Sequence, residues 1–146
     1  MKKIIFLMAP VFSIVLFGCN SGDINDSDSI KYELTSTSPF TNINSVGGTF
    51  PAVTVAYTNE TGQRQQEQLQ INGTTWSKVI NLTTTQRPVA VVMEANGNTQ
   101  NNSGSVTLKV YVNGSLRGTQ VVNIGPSSFQ NYGLFMGGYI GGILID

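Results

Sequence analysis

Residues 106–114 read Val106-Thr107-Leu108-Lys109-Val110-Tyr111-Val112-Asn113-Gly114. Successive side chains of an extended strand point to opposite faces, so the four aliphatic residues share one face and Thr107, Lys109 and Tyr111 share the other. Asn-Gly is the strongest short signal for a two-residue hairpin turn. The stretch therefore predicts a half-buried strand that turns back at Asn113 into an antiparallel partner.

The same alternation recurs along the chain and predicts seven strands. Apolar rows of this kind occur at 53–57 and 89–93, and turns rich in asparagine and glycine separate the rows. The predicted strands cover residues 30–37, 51–59, 64–71, 75–82, 88–95, 104–113 and 117–124. Short strands separated by frequent turns are typical of a small all-β, antiparallel sandwich, which we expect over residues 30–125.

The first 18 residues have the features of a bacterial lipoprotein signal peptide. Lys2 and Lys3 precede an apolar segment at 4–17, which is too short for a comfortable transmembrane helix. Leu16-Phe17-Gly18-Cys19 resembles the lipobox. The resemblance implies that Cys19, the only cysteine, carries a diacylglyceryl lipid and becomes the mature N-terminus. A plain secretory signal and an uncleaved anchor helix are the alternatives.

Residues 19–29 form a polar segment with three aspartates and no basic residue. Such a composition cannot bury a core, so the segment is interpreted as a solvated tether between lipid and sandwich. Its acidity resembles the surface-export signals of Bacteroidetes lipoproteins. We therefore expect a lipid-anchored protein of the bacterial cell envelope, in the outer membrane, on its periplasmic face or at the cell surface.

The last segment, 126–146, is apolar, aromatic and interrupted by glycine pairs. It is too short and too broken by glycine to span a bilayer alone as a helix. One interpretation is a tail that adds an edge strand or covers one end of the sandwich. The other is a segment that contacts a partner or a membrane surface, because an uncovered apolar tail favours aggregation.

Composition excludes several classes of function. Eight basic and eight acidic side chains give a net charge of zero, which is unlike a nucleic-acid binder. The absence of histidine and the single cysteine exclude Ser-His-Asp and Cys-His catalytic units, an internal disulfide and a zinc site of the usual ligands. No spacing of acidic residues resembles a calcium loop. We expect a non-enzymatic protein with no cofactor, no metal and no nucleic-acid partner.

Trp76 and Lys78 are the residues that we single out for ligand or partner contact. Their spacing places them on the same face of a strand. If that face points inward, Trp76 fills the core, and Lys78 must reach the rim or pair with a carboxylate. If the strand lies near an edge, an exposed Trp-Lys pair can contact a sugar or a partner.

A family resemblance rests on five short motifs. They are Tyr57-Thr58, Gly62, Gln65-Gln66, Trp76-Ser77-Lys78 and Val112-Asn113-Gly114. Over roughly residues 50–124 these motifs resemble the MmpS family of mycobacterial small membrane proteins and similar small lipoproteins of Bacteroidetes. The resemblance implies an immunoglobulin-like sandwich outside the cytoplasmic membrane and an accessory role beside a large exporter. This chain has a lipobox where the mycobacterial members have a membrane anchor, and it lacks the cysteine pair that several of them carry.

These observations predict a lipid-anchored envelope protein that acts as a binding or accessory module, for example beside an envelope transporter. Its partners would be the membrane, through the lipid on Cys19, and an envelope protein or a second copy that meets the C-terminal tail. One alternative is a structural or adhesive surface subunit that adds its tail as a strand to a neighbour. Another is a small glycan-binding lipoprotein that uses Trp76 and nearby tyrosines.

Overall fold

A computed structural model describes residues 27–129 and 131–146. The predicted signal peptide, Cys19 and the tether up to residue 26 lie outside the described residues. In the described ranges no helix is long and apolar enough to cross a membrane. These ranges form eleven strands: β1 (Ser29–Phe40), β2 (Ile43–Ser45), β3 (Gly48–Phe50), β4 (Val53–Thr58), β5 (Arg64–Leu69), β6 (Gly73–Asn81), β7 (Val89–Thr99), β8 (Ser105–Val112), β9 (Ser115–Asn123), β10 (Gly125–Pro126) and β11 (Gly133–Ile145).

The predicted all-β, antiparallel class is confirmed, and the number of strands is larger than seven. The seven predicted strands correspond to β1 and to β4 through β9. The additional strands are the short β2–β3 hairpin and, in the predicted tail, β10 and β11.

The strands form two layers. One contains β6, β1, β8 and β9 in that order, and the other contains β5, β4, β7, β11 and β10. Hydrogen bonding links the layers at one corner, where Phe40 pairs with Thr99. In immunoglobulin constant domains the second and third strands belong to opposite sheets. Here the corresponding strands, β4 and β5, form a hairpin within one sheet, so the layers are immunoglobulin-like and the strand order is not.

The core lies between the layers and follows the predicted alternation. Val106, Leu108 and Val110 are fully buried, whereas Thr107 and Lys109 on the opposite face are partly exposed. The largest fully buried side chains come from both layers: Tyr32, Tyr57, Phe40, Phe135, Ile30 and Leu34. Burial of each large apolar side chain contributes roughly 1.5–3 kcal/mol, which makes the inner faces the main source of stability.

The C-terminal segment is part of the sandwich. β11 pairs antiparallel with β7 from Gly133–Thr99 to Ile145–Val89 and buries Phe135, Ile140 and Ile145. This corrects the expected end of the domain at residue 125, because the apolar side chains of the tail complete the core. The register shifts between Phe135 and Gly138 and again between Ile140 and Ile143, which marks two bulges at the glycine pairs.

The two ends of the sandwich are different. At the end where the described chain begins, which we call the tether end, Asp28 accepts hydrogen bonds from Arg87 at 2.7 Å and from the side-chain amide of Asn113 at 2.8 Å. β1 has 12 residues and runs about 36 Å to the opposite, distal end. The distal end contains the β2–β3 hairpin and the β7–β11 pair at Thr99 and Gly133.

Candidate functional site

Trp76 and Lys78 lie on β6, on the side that faces the core. Trp76 is half-buried, and its ring lies 6.4 Å from that of the buried Tyr57. Lys78 is also half-buried, and its Nζ lies 2.5 Å from the Oε1 atom of Glu67. Of the two alternatives considered for Lys78, the structure therefore shows pairing with a carboxylate.

Glu67 is the centre of this cluster. It accepts hydrogen bonds from Lys78 and from the hydroxyl of Tyr57, and Gln65 donates to the same oxygen at 3.3 Å. The hydrogen bonds from Lys78, the largest cause, and from Tyr57 hold the pKa of Glu67 below its usual range. The same bond raises the pKa of Lys78, whereas burial is the main reason that the pKa of Tyr57 is raised.

This cluster lies between β5 and β6, at one side of the sandwich. β5 and β6 are the outermost strands of their layers, since each pairs with one neighbour only. Inward-pointing charges on edge strands oppose the addition of further strands. Beside Trp76 lies a shallow depression of about 370 Å³, lined by Glu33, Thr35, Thr75 and Ser77. The charges of Lys78 and Glu67 are paired with each other, and this pair links β5 and β6 across the two layers.

Three glutamates of the body are neutralised by neighbouring cations. Glu33 pairs with Lys31 at 2.8 Å, Glu67 with Lys78, and Glu94 with Arg64 at 2.6 Å. Among the described residues, no three acidic or thiol side chains come together in a way that could hold a metal ion.

A second concave surface, which we call the distal groove, lies at the distal end on the outer face of the β4–β7–β11 layer. Its volume is about 280 Å³. Phe50 and Phe129 form its aromatic part, with ring centroids 5.3 Å apart. The complete lining is Phe50, Pro51, Thr54, Asn96, Gly97, Asn98, Ser127, Ser128, Phe129, Leu134 and Met136.

Backbone hydrogen bonds fix the floor of the distal groove. Asn98 donates from its backbone N–H to the carbonyl of Ala52 at 2.8 Å, and its side-chain amide donates to Pro51 at 3.2 Å. A Cβ atom at Gly97 would lie 2.3 Å from the carbonyl oxygen of Ala52. The absence of a side chain at Gly97 therefore allows the 51–53 segment to pack directly on β7.

The distal groove was not predicted from the sequence. Its aromatic residues, Phe50 and Phe129, come from segments that are distant in the sequence, and Asn96 comes from a third. The only signal was the apolar, aromatic composition of residues 126–146, which suggested contact with a partner.

No family model matches this chain, and no curated protein sequence matches it significantly. The resemblance to the MmpS family therefore stays a prediction that rests on the motifs quoted above. Of these, Trp76-Ser77-Lys78 lies on β6, and Asn113-Gly114 forms the turn between β8 and β9.

Proposed function

We propose that this protein is a lipid-anchored module of the bacterial cell envelope that binds a ligand or partner at its distal end and performs no catalysis. The observation that carries the proposal is the position of the distal groove relative to the start of the described chain. Asp28 is fixed at the tether end by Arg87 and Asn113, and Phe50 and Phe129 lie at the opposite end.

The dimensions agree with a protein that presents a binding surface away from a membrane. Nine residue steps separate Cys19 from Asp28, and such a chain spans at most about 32 Å. Strand β1 adds about 36 Å between the tether end and the distal end. A lipid on Cys19 would therefore leave the distal groove accessible to molecules well beyond the headgroups.

The anchor is tested by comparing the wild type with Cys19→Ala. We expect the wild type to enter the detergent phase in Triton X-114 partitioning, with mass spectrometry showing a lipidated N-terminal peptide that begins at Cys19. We expect Cys19→Ala to move to the aqueous phase. Membrane association that persists in Cys19→Ala would argue for a different anchor.

The accessory role beside an envelope transporter is the finer part of the proposal. It predicts that a large membrane protein is recovered with the lipidated wild type from cross-linked envelopes and is reduced with Phe129→Ala. Tyr111→Ala is the matched control, because Tyr111 is a partly exposed aromatic residue on the other layer. Equal recovery of the membrane protein with both variants would show that the distal groove is not its binding surface.

The adhesive alternative would require a change of this structure. Strand addition by the tail to a neighbouring protein would require β11 to leave β7 and expose Phe135, Ile140 and Ile145. Because that exposure opposes exchange, the geometry favours a binding module over a strand-exchanging subunit.

A further inference from the structure

We propose that the distal groove binds one ring of a neutral saccharide, with Phe50 and Phe129 against the apolar face of the ring and Asn96 and Asn98 hydrogen-bonded to its hydroxyls. This inference deepens the proposed function, on which it rests for the orientation of the groove. The glycan-binding alternative given above used Trp76, whereas the saccharide is placed here in the distal groove.

The lining of the distal groove carries no charge. All eleven lining residues are uncharged, and the polar ones carry amides or hydroxyls. Along the same sheet, Arg64 and Glu94 form an ion pair at 2.6 Å, so their charges compensate each other. A ligand with a net charge would lose its hydration without gaining an opposite charge, which favours a neutral ligand.

The lining of the distal groove combines aromatic and amide groups. Phe50 is 44% exposed although its ring contacts Phe129, so an apolar surface remains open to a ligand. Asn96 is exposed and lies beside Thr54, its partner across β4 and β7. An asparagine amide carries two N–H donors and one acceptor oxygen. Asn98 uses one donor on the carbonyl of Pro51, which leaves its other donor and its oxygen for a ligand. A sugar ring has an apolar C–H face and a rim of hydroxyls, which are the groups that this lining complements.

The distal groove is small. Its volume of about 280 Å³ is just below the range of ligand pockets, roughly 300 to 1,000 Å³. The groove therefore accommodates one ring, with neighbouring rings of a chain left in solvent. Contact with a single ring implies that each copy of the protein binds weakly. The lipid anchor would hold many copies in one membrane, and these copies together could bind one polysaccharide.

The test uses the full-length lipidated protein in detergent micelles and four probes. Three are neutral (cellohexaose, maltohexaose and chitohexaose) and one is charged (hexagalacturonic acid). Chemical shifts of the Asn96 and Asn98 side-chain amides are followed in NMR titrations. We expect at least one neutral probe to shift both amides at millimolar concentration and the charged probe to leave them unchanged.

Two pairs of variants make the test specific. Phe129→Ala is compared with Tyr111→Ala, and Asn96→Ala with Asn81→Ala, which is exposed at the tether end of β6. We expect each groove variant to raise the dissociation constant about tenfold, which corresponds to a loss of about 1.4 kcal/mol. The control variants should bind as the wild type does.

Three binding results would overturn the inference. They are no binding of any neutral probe, equal or stronger binding of the charged probe, and binding that maps to Trp76. A dimer that is lost in Phe129→Ala would also overturn it, since a second copy would then occupy the groove. Partitioning of Cys19→Ala is measured separately, so a failed anchor with intact saccharide binding would reject the proposed function alone.

Discussion

At the scale of single residues, the polar contacts of Glu67 contribute to the dependence of stability on pH. Its pKa is lowered in the folded protein by Lys78 and Tyr57, so its contribution is complete above the unfolded pKa of about 4.3. That contribution is lost as the pH falls through the lower, folded value. The raised pKa of Lys78 acts in the opposite sense, since its contribution is lost as the pH rises through its folded value, above about 10.4.

We therefore expect Glu67→Gln to lower the free energy of unfolding at pH 7 by about 1 kcal/mol, with a smaller difference from the wild type at pH 3. Urea denaturation at both pH values measures this. Glu94→Gln is the control, because its pair with Arg64 is more exposed and should contribute less than Glu67 does. Equal effects of the two substitutions at pH 7 would contradict a special role for Glu67.

Gly97 is the residue where a single added carbon has the clearest expected effect. A Cβ atom there would meet the Ala52 carbonyl at 2.3 Å and the Val53 Cα at 2.9 Å, both of them backbone atoms. We expect Gly97→Ala to lower the free energy of unfolding by about 1–3 kcal/mol. Gly125→Ala is the matched control, since nothing lies within 4 Å of its added carbon. Thermal unfolding that is equal in the two variants would be inconsistent with this packing.

At the scale of elements, β11 is required for the core although its sequence is broken by glycine. Phe135 is fully buried, and its neighbour Met136 is 68% exposed. We expect Phe135→Ala to lower the free energy of unfolding by about 3–5 kcal/mol and Met136→Ala to change it by less than about 0.5 kcal/mol. Guanidinium denaturation monitored by circular dichroism tests both. Similar stability of the two variants would show that β11 is not held as described.

The sequence predicted seven strands because their alternation is regular. For the C-terminal tail, the sequence offered an added edge strand only as one of two interpretations and gave no bounds for β11, because the two bulges shift the alternation. Phe135 and Gly138 point inward although an odd number of residue steps separates them. The sequence did not predict β2 and β3, which have three residues each, because so short a run carries no period.

The candidate site, too, could be predicted only in part from the sequence. Trp76 and Lys78 were identified because residues two apart in a strand share a face, and the structure places both on the side of β6 that faces the core. Glu67, the partner of Lys78, lies on another strand of the opposite layer, and such pairing depends on topology, which the sequence pattern does not contain. The same reason explains why the contact of Phe50 with Phe129 was not predicted.

At the scale of the whole molecule, the edge strands β5 and β6 influence whether copies associate. β5 and β6 each have one unpaired edge, and Glu67 and Lys78 point inward between them. We expect the wild type without its lipid to be a monomer and the double variant Glu67→Val/Lys78→Val to self-associate. Analytical ultracentrifugation distinguishes the two.

The control for that experiment is Lys31→Val/Glu33→Val. It removes the same pair of charges from the outer face of β1, which has a neighbour on both sides and no free edge. This variant should remain monomeric, since it leaves β5 and β6 unchanged. If both double variants self-associate, the cause is the added hydrophobicity of the surface and not the loss of charges from β5 and β6.

The course of β1 also determines how the sandwich bears mechanical load. β1 starts at the tether end, ends at the distal end, and pairs with β6 over Ser29–Thr35 and with β8 over Ile30–Ser36. If a lipid holds one end and a bound polymer pulls on the other, the tension acts along these strands. The hydrogen bonds on both sides of β1 are then sheared together rather than opened one after another, which is the loading direction in which a sheet resists rupture best.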